Sequence, residues 1–374
     1  MWHGRLVVAL VAAISLLGTS VASGQAAAPQ RAWDVEFHAG GMLSTNPTNG
    51  TTALPAPGPA ITTFSGAATR RVSSWYFGDG AALLNQALAS IRVGGPLTSL
   101  DPVLESAFVR RRSGGSIGFR VERVLTPRLS AEFAVDDNFG SLALRGDSAS
   151  GIEATRASFA PTWNRILNVP ATGGTQTVSS AATVSNRQGR QLLTTGTLLI
   201  SLNTAGRARF FAALGPAVIV TLGPSPTVTL VGDYQFSLAG VTPPPPLPLV
   251  GFHETDTVTV RSSVKNALAG VLGGGLKLAL SDRWGLRVEV RDYVNRSTAS
   301  TLTDATPIPA ALATPTSGVL STVLMLSTNP ALQFSTRSDV PSNLSGPIIT
   351  GFKTFSGTGI ESHLNITAGL FYRF

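Results

Sequence analysis

The sequence predicts an all-β fold: an eight-stranded antiparallel transmembrane β-barrel with short turns at one end and four long loops at the other. Three observations predict it. Period-two alternation of apolar and polar residues recurs in eight places after residue 30. The connections between those places alternate strictly between short and long. Only 13% of the 374 residues are charged and the mean hydropathy is +0.23. Yet past the N-terminus no unbroken apolar run reaches the ~20 residues that a membrane-spanning helix requires.

The N-terminus reads as an export signal over residues 1–24. Arg5 supplies the positive start, Leu6 to Leu17 the short apolar stretch, and Ser20, Ala22 and Gly24 the small residues near a cut after Ala22 or Gly24. Residues 25–32 form a short N-terminal segment, and 33–374 the barrel domain. The chain has no cysteine, which excludes a lipid-anchored N-terminus, disulfides, thiol nucleophiles and cysteine-held metals. Four histidines leave little for a metal site, so neither metal nor cofactor is expected.

The strands follow in order. Trp33 to Leu43 sets Trp33, Val35, Phe37 and Ala39 against Asp34, Glu36 and His38. Ser116 to Val124 sets Ile117, Phe119 and Val121 against Arg120 and Glu122. Four residues, Leu125 to Arg128 with Pro127 among them, then turn the chain into Leu129 to Asp136. Gln191 to Leu202 and Arg207 to Leu222 are joined across Asn203-Thr204-Ala205-Gly206. Val264 to Leu280 and Leu286 to Tyr293 are joined across Ser281 to Gly285. His363 to Phe374 is the last strand. The long connections, 44–115, 137–190, 223–263 and 294–362, are rich in Gly, Pro, Ser, Thr and Asn.

A water-soluble sandwich has no reason to gather every short turn at one end. A membrane barrel does, because lipid on its outside forces the sheet to close on itself. Its polarity is inverted: apolar side chains face lipid and polar ones face the lumen. The inward set is Glu36, Arg120, Glu122, Glu132, Lys277, Arg287, Glu289, Arg291 and Arg373. Both signs are present, so these charges can neutralise one another in a narrow interior.

Basic residues gather where strands leave the apolar belt on the long-loop side: Arg110, Arg111 and Arg112; Arg187 and Arg190; Arg261 and Lys265; Arg296. Lipopolysaccharide presents phosphates at that level, and Arg–phosphate contacts would anchor the rim. Within the first long loop, Leu83, Leu84, Ala87, Leu88 and Ile91 keep helical spacing after Gly78-Asp79-Gly80, as a short lid would. The glycine pair lacks the Lys and the strand–helix setting of a phosphate loop. Pro243 to Pro246 reads as a stiff loop tip. Ser362 and His363 are neighbours on a strand and so point to opposite faces, which disqualifies them as a nucleophile–base pair. No repeated aromatic–basic surface accompanies the +8 charge, so no nucleic-acid partner is expected.

The last strand ends with Leu370, Tyr372 and Phe374 in phase. A terminal Phe with such a spacing resembles the assembly signal of bacterial outer-membrane proteins. Ala212 to Pro216, Gly273 to Lys277 and Arg283 to Tyr293 are similar to stretches common in small eight-stranded barrels of the OmpA/OmpX type. This resemblance implies residence in a bacterial outer membrane, with its lipid and lipopolysaccharide as partners. It also implies dealings with the barrel assembly machinery and periplasmic chaperones during biogenesis. The peptidoglycan-binding domain of the OmpA kind has no counterpart in residues 33–374, so no wall-binding role is expected. The expected role is non-enzymatic: structural, or surface binding and adhesion through the long loops, whose ligand the sequence does not name. A small-solute channel is the alternative, ahead of a lipid A-modifying enzyme.

Overall fold

The computed structural model describes residues 32–46, 49–56, 60–62, 68–90, 94–167, 174–185, 189–238, 251–306, 308–313, 331–333 and 349–374. The export signal, Arg187 and the Pro243 to Pro246 run lie outside these residues. No described helix is long and apolar enough to cross a membrane.

Eight strands close into a ring. They are β1 (Trp33–Ser44), β6 (Gly114–Val124), β7 (Leu129–Asn138), β10 (Arg190–Ser201), β11 (Ala208–Leu222), β14 (Ala267–Ala279), β15 (Trp284–Ala305) and β18 (Ile349–Arg373). Each pairs antiparallel with the next, and β18 returns to β1 with Tyr372 opposite Val35 and Leu370 opposite Phe37. Closure matters because an open edge carries unpaired backbone groups that lipid cannot satisfy. The connections Leu125 to Arg128, Leu202 to Arg207 and Leu280 to Arg283 all lie at one end, the turn end.

The alternation sorts side chains to two environments. Each of the eight strands turns a large apolar residue outward: Phe37, Ile117, Phe133, Leu198, Leu214, Leu272, Val288 and Ile366 are all more than two-fifths exposed. Asp34, Glu36 and His38 on β1, and Glu132 and Asp136 on β7, are buried inside. Ten steps from Trp33 to Leu43, tilted by about 40°, make an apolar belt about 25 Å tall, the thickness of such belts in membrane barrels.

In their described residues the four long connections carry strands and helices that the alternation alone does not reveal. At one level above the belt most strands bend and then continue. β6 is preceded by β5 (Val109–Arg111), and β7 is followed by β8 (Leu142–Leu144), which pairs with β5. Above β10, β11 and β14 stand β9 (Gly174–Ser185), β12 (Thr227–Leu238) and β13 (Gly251–Val264). β15 and β18 run on without a break, to 22 and 25 residues. The order β18-β15-β13-β12-β9 is therefore a half-open wall above the closed ring. β2 (Thr51–Thr52) borders it on β18, and β3 (Ala60–Thr62), β4 (Ala68–Val72), β16 (Ile308–Ala313) and β17 (Ala331–Gln333) form a separate small sheet.

Helices fill the open side: α1 (Gly78–Ser90), α2 (Asp101–Leu104) and α3 (Gly146–Leu167). Ile152, Thr155, Phe159, Trp163 and Ile166 of α3 are buried at three- and four-residue spacing, which is one helical stripe. With Trp75, Tyr76, Phe77, Leu84, Val228, Leu230, Tyr234, Val258 and Val260, the apolar members of that stripe form the largest apolar core among the described residues. Trp163 stacks on Tyr234 with centroids 4.4 Å apart, and Tyr76 stacks on Phe159 at 4.7 Å. This crown is packed like a soluble domain, with apolar residues inside, while the barrel below is packed the opposite way.

Candidate functional site

The sequence directs charge into the lumen, and ring closure decides which charges meet. Arg287 lies at the centre. Its Nη1 is 2.6 Å from Glu132 Oε2 and 3.4 Å from both Glu36 Oε2 and Glu122 Oε2; its Nη2 is 2.9 Å from Glu289 Oε2. Arg120 Nη1 is 2.9 Å from Glu36 Oε1 and 2.9 Å from Glu289 Oε2. Arg291 donates to Glu132 and, through Nε at 2.5 Å, to Glu289 Oε1. The three guanidiniums and the carboxylates of Glu36, Glu122, Glu132 and Glu289 are all buried. Arg287 also sits 4.5 Å from the Phe211 ring centroid.

Toward the turn end, Lys277 pairs with Glu122 and, at 3.4 Å, with Asp34. Arg373 donates twice to Asp34, at 2.8 and 2.9 Å. Toward the crown, His38 Nε2 lies 2.5 Å from Asp136 Oδ1, and its Nδ1 lies 3.7 Å from Glu36 Oε1. The residues facing His38 across both strand pairings are Gly118 and Gly369. A Cβ at Gly118 would come 2.3 Å from His38 Nε2, and one at Gly369 would come 2.4 Å from Glu36 Oε1. The two glycines therefore leave the room that this contact needs. Above it, Asn138 donates to Gln191 at 3.1 Å and Ser116 to Asn365 at 2.9 Å.

Every residue of the sequence-predicted lumen set thus lies in one continuous network. The network also enlists Asp34, His38 and Asp136. Alternation already places these three on the inward face, so the sequence carries the signal for them. Six carboxylates (Asp34, Glu36, Glu122, Glu132, Asp136, Glu289) face five cations (Arg120, Lys277, Arg287, Arg291, Arg373), with the His38 ring between Glu36 and Asp136. Charges this buried are tolerated only when paired and hydrogen-bonded. Arg287 on β15 reaches Glu132 on β7, four strands away round the ring, so the side chains cross the lumen.

The basic rim is less uniform than the sequence implies. Arg110, Arg112, Lys265 and Arg296 are exposed. Arg190 is 3.3 Å from Asp137 and covers the Phe139 ring at 5.8 Å, and Arg261 is 3.2 Å from Asp304. Arg111 does not belong to the rim surface: it is 5% exposed and turned inward. Its Nη1 donates at 2.8 Å to the carbonyls of both Gly140 and Gly189, and its own backbone N–H donates to Asn46 Oδ1 at 2.8 Å. It thereby ties together the bends above β7, β10 and β1. Burial lowers its pKa to about 10.

In the last strand, Leu370 and Phe374 are exposed on the outer face, and Tyr372 meets Trp284 edge-on at 4.9 Å. Ser362 and His363 do point apart: Ser362 donates to Asp292 at 2.6 Å, while His363 Nδ1 lies 2.8 Å from Ser44 Oγ. No group of three or more acidic or histidine side chains suited to a metal ion occurs among the described residues.

No family model matches the chain, and no curated protein does. Solved structures of similar arrangement exist. The outer membrane protein AlkL in lipid bilayers has a TM-score of 0.37 and 10% identity over 95% of each chain. The outer membrane protein OprG from Pseudomonas aeruginosa has a TM-score of 0.35 and 10% identity, over 92% of this chain and 97% of that one. The outer membrane protease OmpT from Escherichia coli has a TM-score of 0.28 and 8% identity, over 94% of this chain and 100% of that one. The strand pairings and the faces they create, rather than overlap at these scores, define the fold.

Proposed function

We propose that this chain is an eight-stranded outer-membrane barrel of the OmpA/OmpX-like kind. In this reading its lumen is shut by ion pairs, and it acts through the crown that the barrel holds outside the cell. The crown presents a surface for binding or adhesion. The observation that carries this reading is the division of packing. The ring turns apolar residues outward and charges inward, and the crown does the reverse. One chain is thus built for lipid below and for water above. Arg110, Arg112, Lys265 and Arg296, just above the belt, then meet lipopolysaccharide phosphates. The C-terminal strand is the segment offered to the barrel assembly machinery.

The chain has no cysteine, so single cysteines can report topology. Lys353→Cys, exposed on the crown, is expected to react with a membrane-impermeant maleimide on intact cells, and Thr204→Cys in a turn only after lysis. The membrane fraction is expected to run as a barrel on gels, migrating differently before and after boiling. Equal labelling of both sites in intact cells, or a protein washed off by salt, contradicts the reading.

A small-solute channel is the second reading. Its support is the polar lumen, in which polar side chains continue from Asp34 at the turn end to Asn365 below the crown. Passage would then require the side chains around Arg287 to move aside.

A further inference from the structure

The barrel mouth at the turn end gathers more cations than carboxylates among the described residues. Inside it is a recess of about 70 Å³ lined by Arg207, Arg209, Lys277 and Arg373, with Glu122 and Ser201. Lys277 and Arg373 are already committed to Glu122 and Asp34. Arg207 and Arg209 make no ion pair among the described residues, and both are exposed at the mouth. The strand register makes this worse: Arg209 stands directly opposite Lys277. Like charges directly across a strand pair destabilise it. Two unneutralised guanidiniums beside a neutralised Lys and Arg therefore leave a surplus of two positive charges around a space the size of a small ion.

We propose that this mouth is a binding site for a phosphate-type oxyanion. Arg207 and Arg209 supply forked N–H donors, which suit tetrahedral oxyanions better than a point charge does. Lys277 adds field, and the Ser201 hydroxyl adds a donor that can turn toward the ion. An anion seated there relieves the Arg209–Lys277 repulsion. The ion has two sources with the same chemistry: free phosphate, or the phosphate of a phospholipid headgroup reaching over the rim. The proposal concerns the mouth alone and stands whether or not the crown binds a partner.

The test uses the full chain, purified and refolded, with heat-dependent gel migration as the check on folding. Inorganic phosphate is titrated calorimetrically at low salt, and native mass spectrometry follows retention of phosphatidylglycerol from mixed-lipid nanodiscs. Saturable phosphate binding that falls at least tenfold in Arg207→Gln/Arg209→Gln supports the site with free phosphate as occupant. Absent phosphate binding, with phosphatidylglycerol retained by the wild type and lost by the same variant, supports it with the headgroup as occupant. Ser201→Glu keeps both arginines and supplies an internal carboxylate, so it is expected to abolish binding as well. Binding that is equal in wild type and variants, or absent in both arms, overturns the proposal.

Discussion

Arg287 shows how much of this molecule depends on single side chains. It touches four carboxylates from three other strands and its own. Arg287→Ala leaves those buried acids short of a cation. The expected loss is about 3–5 kcal/mol of barrel stability, read as the urea midpoint of folding into detergent or lipid. Adding Glu132→Gln to that variant removes one uncompensated charge, so the double variant is expected to recover part of the loss. A double variant that is less stable than the single one contradicts the assignment.

Asp256, deep in the crown, is a residue of the opposite kind. It accepts hydrogen bonds from Ser74 Oγ and the Trp75 backbone N–H, both at 2.8 Å, and forms no ion pair among the described residues. Burial pushes its carboxyl up to about 7. The folded crown therefore holds this proton to higher pH than the unfolded chain does. Stability contributed by the protonated acid is present below the usual carboxylate range and is lost as pH rises from about 4 toward 7, at up to about 1.4 kcal/mol per pH unit. Thermal melts of the crown followed by the fluorescence of buried Trp75 and Trp163 are expected to fall over that window. Asp256→Asn is expected to flatten the fall. A pH profile that the Asp256→Asn substitution leaves unchanged counts against this role.

At the scale of elements, the decisive feature is the level at which strands bend. Gly223-Pro224-Ser225-Pro226 and Lys265-Asn266 break the sheet between ring and crown on one side, and Phe139-Gly140-Ser141 on the other. Gly223 takes a φ of 84°, a conformation that other residues rarely adopt. Arg111 clamps this level from inside, through Asn46, Gly140 and Gly189. Arg111→Ala is expected to loosen the crown by about 2–4 kcal/mol. Limited proteolysis is then expected to cut near residues 140 and 189, while the ring still migrates as a barrel. Loss of both together would mean that the crown and ring do not open separately.

The same scale explains what can be read from the sequence. Ring strands stand between water-poor lipid and a charged lumen, so their alternation is sharp, as in Asp34 to His38 or Leu286 to Arg291. The crown strands carry a more diluted alternation: β9 reads Gly-Thr-Gln-Thr-Val-Ser-Ser-Ala-Ala-Thr-Val-Ser, in which a Ser or Thr occupies positions that a stronger signal would give to Val or Leu. α3 hides behind Pro161 in its interior and only a few bulky apolar residues among Ser, Thr and Ala. The lumen face is legible from period two, but the partners are not. That Arg120 meets Glu289, or His38 meets Asp136, follows from the order of strands around the ring. Three consecutive arginines give no hint of which one turns inward, so Arg111 reads as rim until the bends are seen.

For the whole molecule, two packing logics meet through shared strands. β15 and β18 each run as one strand from the lipid-facing belt into the crown and stay paired there through two register shifts, so the crown is joined to the ring along their ladder. In the proposed function the barrel is a mount, with the Arg287 network as its plug and the crown as its working surface. The alternative, in which the polar lumen passes solutes, makes the opposite demand on the same side chains. Single-channel recording in planar bilayers separates the two directly. The wild-type protein is expected to show no steady conductance in high salt, and discrete openings only when Arg287 and Glu132 are both replaced by alanine. Stable, stepwise conductance from the unmodified chain would contradict the plugged barrel.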